Sequence, residues 1–330
     1  MDITVVIPYR DRRKYLGRTL MSFLAQPFRP LRLILVDNGS TDGSADLCSR
    51  FAARFSSADL SVTLLSHPQG GACAARNAGL ARVETPWVYF FDSDDELSPD
   101  FFPAVRPLCE AACPPDIIAF TTRMMWVDGR TKARAATYTA SVSAQILAGH
   151  IATHGMLLRT DFARTAGGWD ENVPKWNDWE FALRLLLRGA GVAWLRGRAW
   201  HTIHQHAASI TGTGFAPTYG KLHPAMLAAV RDIRTLTATP STHDTPWQYN
   251  NDSPRRALLA LSLRSAILAG QLLREDDTAH AAEVTEEARA LCKEAGGGRA
   301  AKLALSFCTR YTAHGGRAAW LLALRLLPLL

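Results

Sequence analysis

The sequence predicts an α/β fold on a largely parallel sheet, from three observations. Short β-branched or aromatic runs alternate with helical patterns. Each run ends in a polar loop. The chain is 330 residues long and 48% hydrophobic, enough for one large core with an accessory region.

Ile3 to Pro8 is the first strand, closed by proline and followed by the basic loop Tyr9-Arg10-Asp11-Arg12-Arg13-Lys14 and a helix from about Tyr15 to Ala25. Leu31 to Val36 is the second strand, ending at Asp37-Asn38-Gly39-Ser40-Thr41-Asp42, with helical spacing over Gly43 to Phe55. Ser61 to Ser66 is the third. Gly70 and Gly71 open a helix that runs through Ala81, and Trp87 to Phe91 is the fourth strand. Repeated strand, loop and helix imply parallel βαβ units, whose ligands sit beyond the carboxyl ends of the strands. The loops Pro8 to Arg10, Asp37 to Asp42, Gly70 to Asn77 and Asp92 to Asp95 are therefore expected to converge on one crevice.

Further on, Asp116 to Trp126 reads as a strand, Ser141 to Leu147 as a short helix and His154 to Arg159 as a strand. A helix with the acidic first turn Asp178 and Glu180 follows, as the helix dipole favours. Beyond about Thr218 only helices are predicted, over Pro224 to Leu236, Pro254 to Leu273, Thr278 to Cys292 and Ala300 to Thr312. A linker at 237–254 and Gly296-Gly297-Gly298 divide them. The expected division is 1–218, with halves 1–100 and 101–218, and a helical region 219–330.

The chemistry concentrates in WVYFFDSDD, where a buried strand discharges into Asp92, Asp94 and Asp95. Charges at a buried strand end call for a cation, and hard oxygen ligands on a short loop suit Mg²⁺ or Mn²⁺. An acidic turn leading to a cap at Ser98 and Pro99 fits this stretch equally well. Ser40, Thr41 and Asp42 read better as a helix start, whereas Asp37, at the strand end itself, can accept a hydrogen bond from a nucleobase. Arg76 is either a solvated helix residue or a partner for an anionic or carbonyl-rich ligand. His201, His204 and His206 lack a partner of standard zinc spacing, so structural histidines are the default.

The net charge of +7 points to anionic company. Six cysteines, mostly in apolar helical patterns, read as free thiols in a reducing cytoplasm. The start, MDITVVIPYRDRRK, does not have the order of a secretory signal, and no apolar run is expected to approach bilayer-spanning length. The sequence has no G-x-G-x-x-G after the first strand, no G-x-x-x-x-G-K-[ST] and no G-x-S-x-G.

VVIPYR, VDNGSTD, GGACAARNAG and FFDSDD, in this order, resemble the nucleotide-sugar half of family 2 glycosyltransferases with the GT-A fold. The resemblance covers about two thirds of the chain. It implies a Rossmann-like nucleotide-binding domain with a mixed central sheet and an inverting, metal-dependent transfer from a nucleotide diphosphate sugar, UDP-linked by expectation. It also implies site residues. Asp37 and Arg76 would hold the base, and Pro8, Tyr9 and Arg10 would line the nucleotide. Asp92, with Ser93 beside it, would contact the ribose, and Asp94 the metal. Trp176-Asn177-Asp178-Trp179-Glu180 matches the family's acidic pair, with Asn177 replacing the usual glutamate and Asp178 in the place of the general base. Gly168, Trp169 and Glu171 match a loop under the sugar or acceptor, with Trp176 and Asn177 nearby. His206 stands where a histidine can complete the metal site, and His204 stands where arginine is common.

The implied acceptor is a glycan or lipid-linked hydroxyl in cell-surface polysaccharide synthesis, with no nucleic acid partner. The family's processive members carry Q-x-x-R-W, absent here, so single-sugar addition is expected. The expected location is cytoplasmic. Packing is the expected role of the leucine-rich, basic last segment, and a peripheral contact with the inner face of the membrane is the alternative. The rival functions are a metal-dependent nucleotidyltransferase and a catalytically silent binding module.

Overall fold

The structure, a computed structural model, describes residues 1–134, 136–206, 214–235 and 245–330. The four expected strands and the three helices between them form in order: β1 Ile3–Tyr9, α1 Arg13–Leu24, β2 Leu31–Asp37, α2 Ser44–Phe55, β3 Leu60–Ser66, α3 Gly71–Leu80 and β4 Trp87–Phe90. β1 is buried along its whole length, as a continuous apolar run in a helix-covered parallel sheet must be.

A two-residue strand, β5 Glu96–Leu97, and α4 Phe101–Cys109 follow. The predicted strand 116–126 is in fact two, β6 Ile117–Phe120 and β7 Thr122–Trp126. The chain changes sheet between them, which an uninterrupted apolar run cannot signal. Next come β8 Thr131–Ala133, α5 Val142–Ala148, β9 Met156–Arg159, α6 Thr160–Thr165, α7 Asn177–Leu187, β10 Val192–Leu195 and β11 His201–Gln205.

The main sheet has the order β10-β6-β9-β4-β1-β2-β3. It is mixed because β9 runs antiparallel to both β4 and β6, while β1 is parallel to β2 and β4, and β3 to β2. A second sheet, β5-β11-β7-β8, stands beyond it.

The helical region comprises α8 Tyr219–Thr235, α9 Pro254–Arg274, α10 Thr278–Glu294, α11 Arg299–Ala313 and α12 Ala319–Leu326. One continuous apolar core joins it to the sheet, from Val6 and Phe90 through Leu183 and Leu186 to Leu261, Leu268 and Cys308. At 21 residues α9 is long and apolar enough to cross a bilayer, contrary to the expectation that no run approaches that length. Its most apolar window is 78% buried inside the protein, so here it serves as a core helix.

Candidate active site

The carboxyl ends of β1, β2 and β4 form one rim, because the register pairs Tyr9 with Asp37 and Val6 with Phe90. The loops on this rim brace one another. The Asp11 carboxylate accepts from the Thr41 amide at 2.8 Å, and Asp42 accepts from the amides of Arg13 and Ser44, each at 2.9 Å. Asp42 thus ties the starts of α1 and α2 together. The residue that caps α2 is Gly43, at φ +84°, with no side-chain cap. Asp37 accepts from the Ser40 amide at 3.0 Å. Pro8 and Tyr9 are buried, the Tyr9 hydroxyl kept protonated by burial beside Cys48, whereas Arg10 stands out into solvent.

The acidic loop after β4 sends its carboxylates three ways. Asp92 accepts from Arg76 Nη2 at 2.8 Å. Asp94 lies 2.9 Å from His206 Nε2 and 3.6 Å from Arg12 Nε. The Asp94 carbonyl takes a hydrogen bond from Arg18 at 2.6 Å, and the His206 ring stacks on Tyr15 at 4.2 Å. Asp95 turns inward instead, buried and 2.7 Å from His201 Nε2, while Tyr89 Oη lies 2.7 Å from His201 Nδ1. Burial takes His201 down to about 3 and pushes the Asp95 carboxyl well up, the charges of Asp92 and Asp94 adding to the rise. A neutral His201 therefore bridges Tyr89 and Asp95 and fixes the acidic loop from behind. Ser93 is buried between the two outward aspartates. His204 pairs with Glu96 at 2.6 Å.

Asp94 and His206 fit a divalent cation. An oxygen and a nitrogen donor 2.9 Å apart match neighbouring positions around an ion with bonds of about 2.1 Å. The rest of such a shell would have to come from a ligand and water.

Arg76 lies under this rim, its guanidinium 4.5 Å over the Trp169 ring. Its Nε and Nη1 are buried with no partner among the described residues, so two donors are left for a ligand or an ordered water. Trp169 is itself buried against Phe90 and Phe181, so it meets Arg76 and not solvent. Asn77 secures the loop below, donating to Trp169 O and to Glu171 Oε1, each at 2.9 Å. Gly168 has φ +65°, and a Cβ there would stand 2.6 Å from Asn77 Oδ1. A cavity of about 560 Å³ borders this loop, lined in part by Glu171, Arg184 and Arg231. Neither Asp94 nor Asp178 lines it.

Across from Arg76, α7 begins at Asn177 after Trp176, which is left-handed at φ +60°. A non-glycine residue persists there only where its surroundings hold it. Trp176 is held by Trp179, by Phe215 and by Arg264 of α9, whose guanidinium sits 4.4 Å over its ring. The Trp179 indole donates to two carbonyls of α5, anchoring the helix start. Asn177 donates weakly to Pro174 O at 3.4 Å. Asp178 is half-buried and accepts from the Trp179 amide at 2.8 Å. Burial raises its carboxyl above the ordinary 3.8, opposed chiefly by Arg134, with the charges of Arg76 and Asp92 also reaching it. Asp178 therefore shares a field with the Arg76–Asp92 pair. Glu180, the other acid of this turn, is buried in a two-pronged pair with Arg184 at 2.6 and 3.1 Å.

Sequence reasoning missed Arg134, Arg12, Tyr15, Tyr89 and Arg264. Arg134 hydrogen-bonds the half-buried, neutral His154 and its charge reaches Asp178 from just past β8, a segment to which no sequence motif points. Tyr15 could have been found: it lies four residues before Thr19, on the helix face that meets the acidic loop through the Thr19 hydroxyl.

The architecture is that of the GT-A glycosyltransferases. The structure superposes on Staphylococcus aureus TarS 1-349, solved in complex with UDP-GlcNAc, with a TM-score of 0.70 at 18% identity, over 98% of this chain and 92% of that one. Residues 4–162, just under half of the chain, match the profile of glycosyl transferase family 2. A pre-mycofactocin glycosyltransferase of Mycobacterium tuberculosis is 30% identical over 57% of this chain and 40% of its own length. The minor teichoic acid biosynthesis protein GgaA of Bacillus subtilis is 24% identical over 56% of this chain and 43% of its own. The chain spans less than half the length of either of these curated relatives.

Proposed function

We propose that this chain is an inverting glycosyltransferase that moves one sugar from a nucleotide diphosphate sugar, UDP-linked, to a hydroxyl of a cell-surface polymer or its lipid-linked precursor. The observation that carries the reading is the charge layout: Asp178 shares the field of Arg76 and Asp92, and the next outward carboxylate of the same loop, Asp94, meets His206 and Arg12.

Asp37 and the two spare donors of Arg76 suit the carbonyl and N–H groups of a base, and Asp92 a ribose hydroxyl. Asp94 and His206 would hold Mn²⁺ or Mg²⁺, which when bound supplies charge neutralisation for the diphosphate. Arg12 adds its own positive charge at that end. Asp178 takes the proton from the acceptor hydroxyl as the oxygen attacks the anomeric carbon from the face opposite the diphosphate. The C–O bond to the acceptor forms as the bond to the leaving phosphate breaks, inverting the centre. Trp176 and Asn177 stand beside the base for the acceptor, and Gly168, Trp169 and Glu171 support the sugar side from beneath. Arg264 forms no ion pair among the described residues and suits an anionic acceptor chain, as the teichoic acid named for one relative also suggests.

The test is a panel of nucleotide sugars assayed for metal-dependent hydrolysis, followed by transfer to polyol-phosphate and neutral glycan acceptors. Turnover of a UDP-sugar releasing UDP is expected, with Asp178→Asn lowering turnover ~10²–10⁴-fold while donor affinity stays within about twofold. Release of pyrophosphate would replace this reading with a nucleotidyltransferase. Unchanged cellular function in Asp178→Asn would leave a binding module.

A further inference from the structure

Ten large apolar side chains among the described residues are more than a third exposed, and half of them, Leu303, Phe307, Tyr311, Leu321 and Leu329, fall within residues 303–329. The spacing of the first three, four residues apart, puts them in one row along α11. The rings of Phe307 and Tyr311 stack, 6.1 Å apart. The opposite side of the helix, Ala301, Ala304, Leu305 and Cys308, is buried, so the row is surplus to what α11 needs for packing.

A second, basic row runs beside it. Arg299, Lys302 and Arg310 are exposed on α11. Tyr311 Oη donates to Arg317 O at 3.0 Å and so joins this face to the segment that leads into α12, where Arg317 and then Leu321 and Arg325 of the helix are exposed. Residues 295–330 hold these five cations and no aspartate or glutamate, so they supply five of the chain's seven net positive charges. None of the five forms an ion pair among the described residues.

We infer that the α11–α12 face docks on the surface of a bilayer containing anionic lipid. Aromatic and leucine side chains enter the headgroup boundary while the flanking cations meet lipid phosphates. Charge selects this occupant. Pairing the face with its own copy across a two-fold axis would set ten unpaired cations against each other with no acid to balance them. An anionic bilayer balances the charge and buries the row at once. The inference is independent of which sugar is transferred.

The test is co-sedimentation of the full chain with vesicles of phosphatidylcholine alone or of phosphatidylcholine mixed with the anionic lipid phosphatidylglycerol. Binding to the anionic vesicles is expected to exceed that to neutral ones on the order of tenfold, and to fall at 0.5 M salt, where the screening length is only about 4 Å. The double variants Leu303→Ser/Phe307→Ser and Lys302→Glu/Arg310→Glu alter only exposed side chains. Each is expected to lose about tenfold in vesicle binding with circular dichroism and donor hydrolysis unchanged. The inference is overturned by equal binding to both vesicle types, by no binding, or by binding that both variants retain. It is also overturned if the chain self-associates in solution and Phe307→Ser abolishes that association without any vesicle binding, because the face then joins copies of the chain.

Discussion

At the scale of single residues, the acidic loop shows how one short motif is divided among three tasks. Asp92, Asp94 and Asp95 look alike in sequence, yet they meet an arginine, a histidine with an arginine, and a buried neutral histidine. Only partners distant in the chain separate them, so the loop was legible as a site while the assignment within it was not. Asp178 is separated in the same way, by its surroundings. Its carboxyl is raised by burial, so in the folded state it binds a proton more readily than in the unfolded chain. Ionised Asp178 therefore opposes folding at neutral pH, and the stability it contributes belongs to the protonated form, present below the unfolded value near 3.8 and lost as pH rises through the folded one. Two outcomes are expected. The acid limb of the pH–rate profile for transfer should fall above the ordinary carboxylate range, because the base works only when ionised. Asp178→Asn should keep or raise the urea midpoint at pH 8 while lowering transfer ~10²–10⁴-fold. A midpoint well below that of the wild type would show that Asp178 is held for structure.

At the scale of elements, strands and helices were legible wherever the apolar period was uninterrupted, which covers β1 to β4 and α9 to α11. Two things hid the rest. β5 and β8 have two and three residues, too short for a period to register, and His201–Gln205 reads as a histidine motif because its strand character comes from pairing with β7. The first turn of α7 was read correctly as acidic, but its acids meet different partners: Asp178 is half-buried and accepts from the Trp179 amide, while Glu180 is locked to Arg184. Arg184 also donates to Gly168 O at 2.9 Å, so this one guanidinium ties α7 to the loop beneath Arg76. Arg184→Met would leave Glu180 buried without its charge partner and Gly168 O without a donor, a loss of about 3–5 kcal/mol. Chemical denaturation measures it. A loss below about 1 kcal/mol would mean that water reaches Glu180.

At the scale of the molecule, the helical region and the sheet share a core, and that decides whether the first 218 residues can stand alone. α9 packs on α5, α8 on α7, and α12 on α5, so α5 and α7 lie between the sheet and the helices. In the whole chain Leu147, Leu183 and Leu186 are buried within this common core. Cutting after Thr218 would uncover the faces of α5 and α7 that α8, α9 and α12 now cover, together with Trp176, which would lose Arg264 from its ring. Exposed apolar area costs roughly 25 cal/mol per Å², and a few hundred Å² on two adjacent helices amounts to several kcal/mol, comparable with the whole stability of a domain. Trp176 also holds the left-handed turn that starts α7 and presents Asp178. The truncated chain 1–218 is therefore expected to express as aggregate, and any soluble fraction to lose transfer more completely than donor hydrolysis, since β1, β2, β4 and α3 keep their own packing. Purification of both forms, with calorimetry and donor hydrolysis on each, checks it. A soluble 1–218 fragment with a sharp thermal transition and full transfer activity would mean that α5 and α7 hold their geometry without the helices that now cover them.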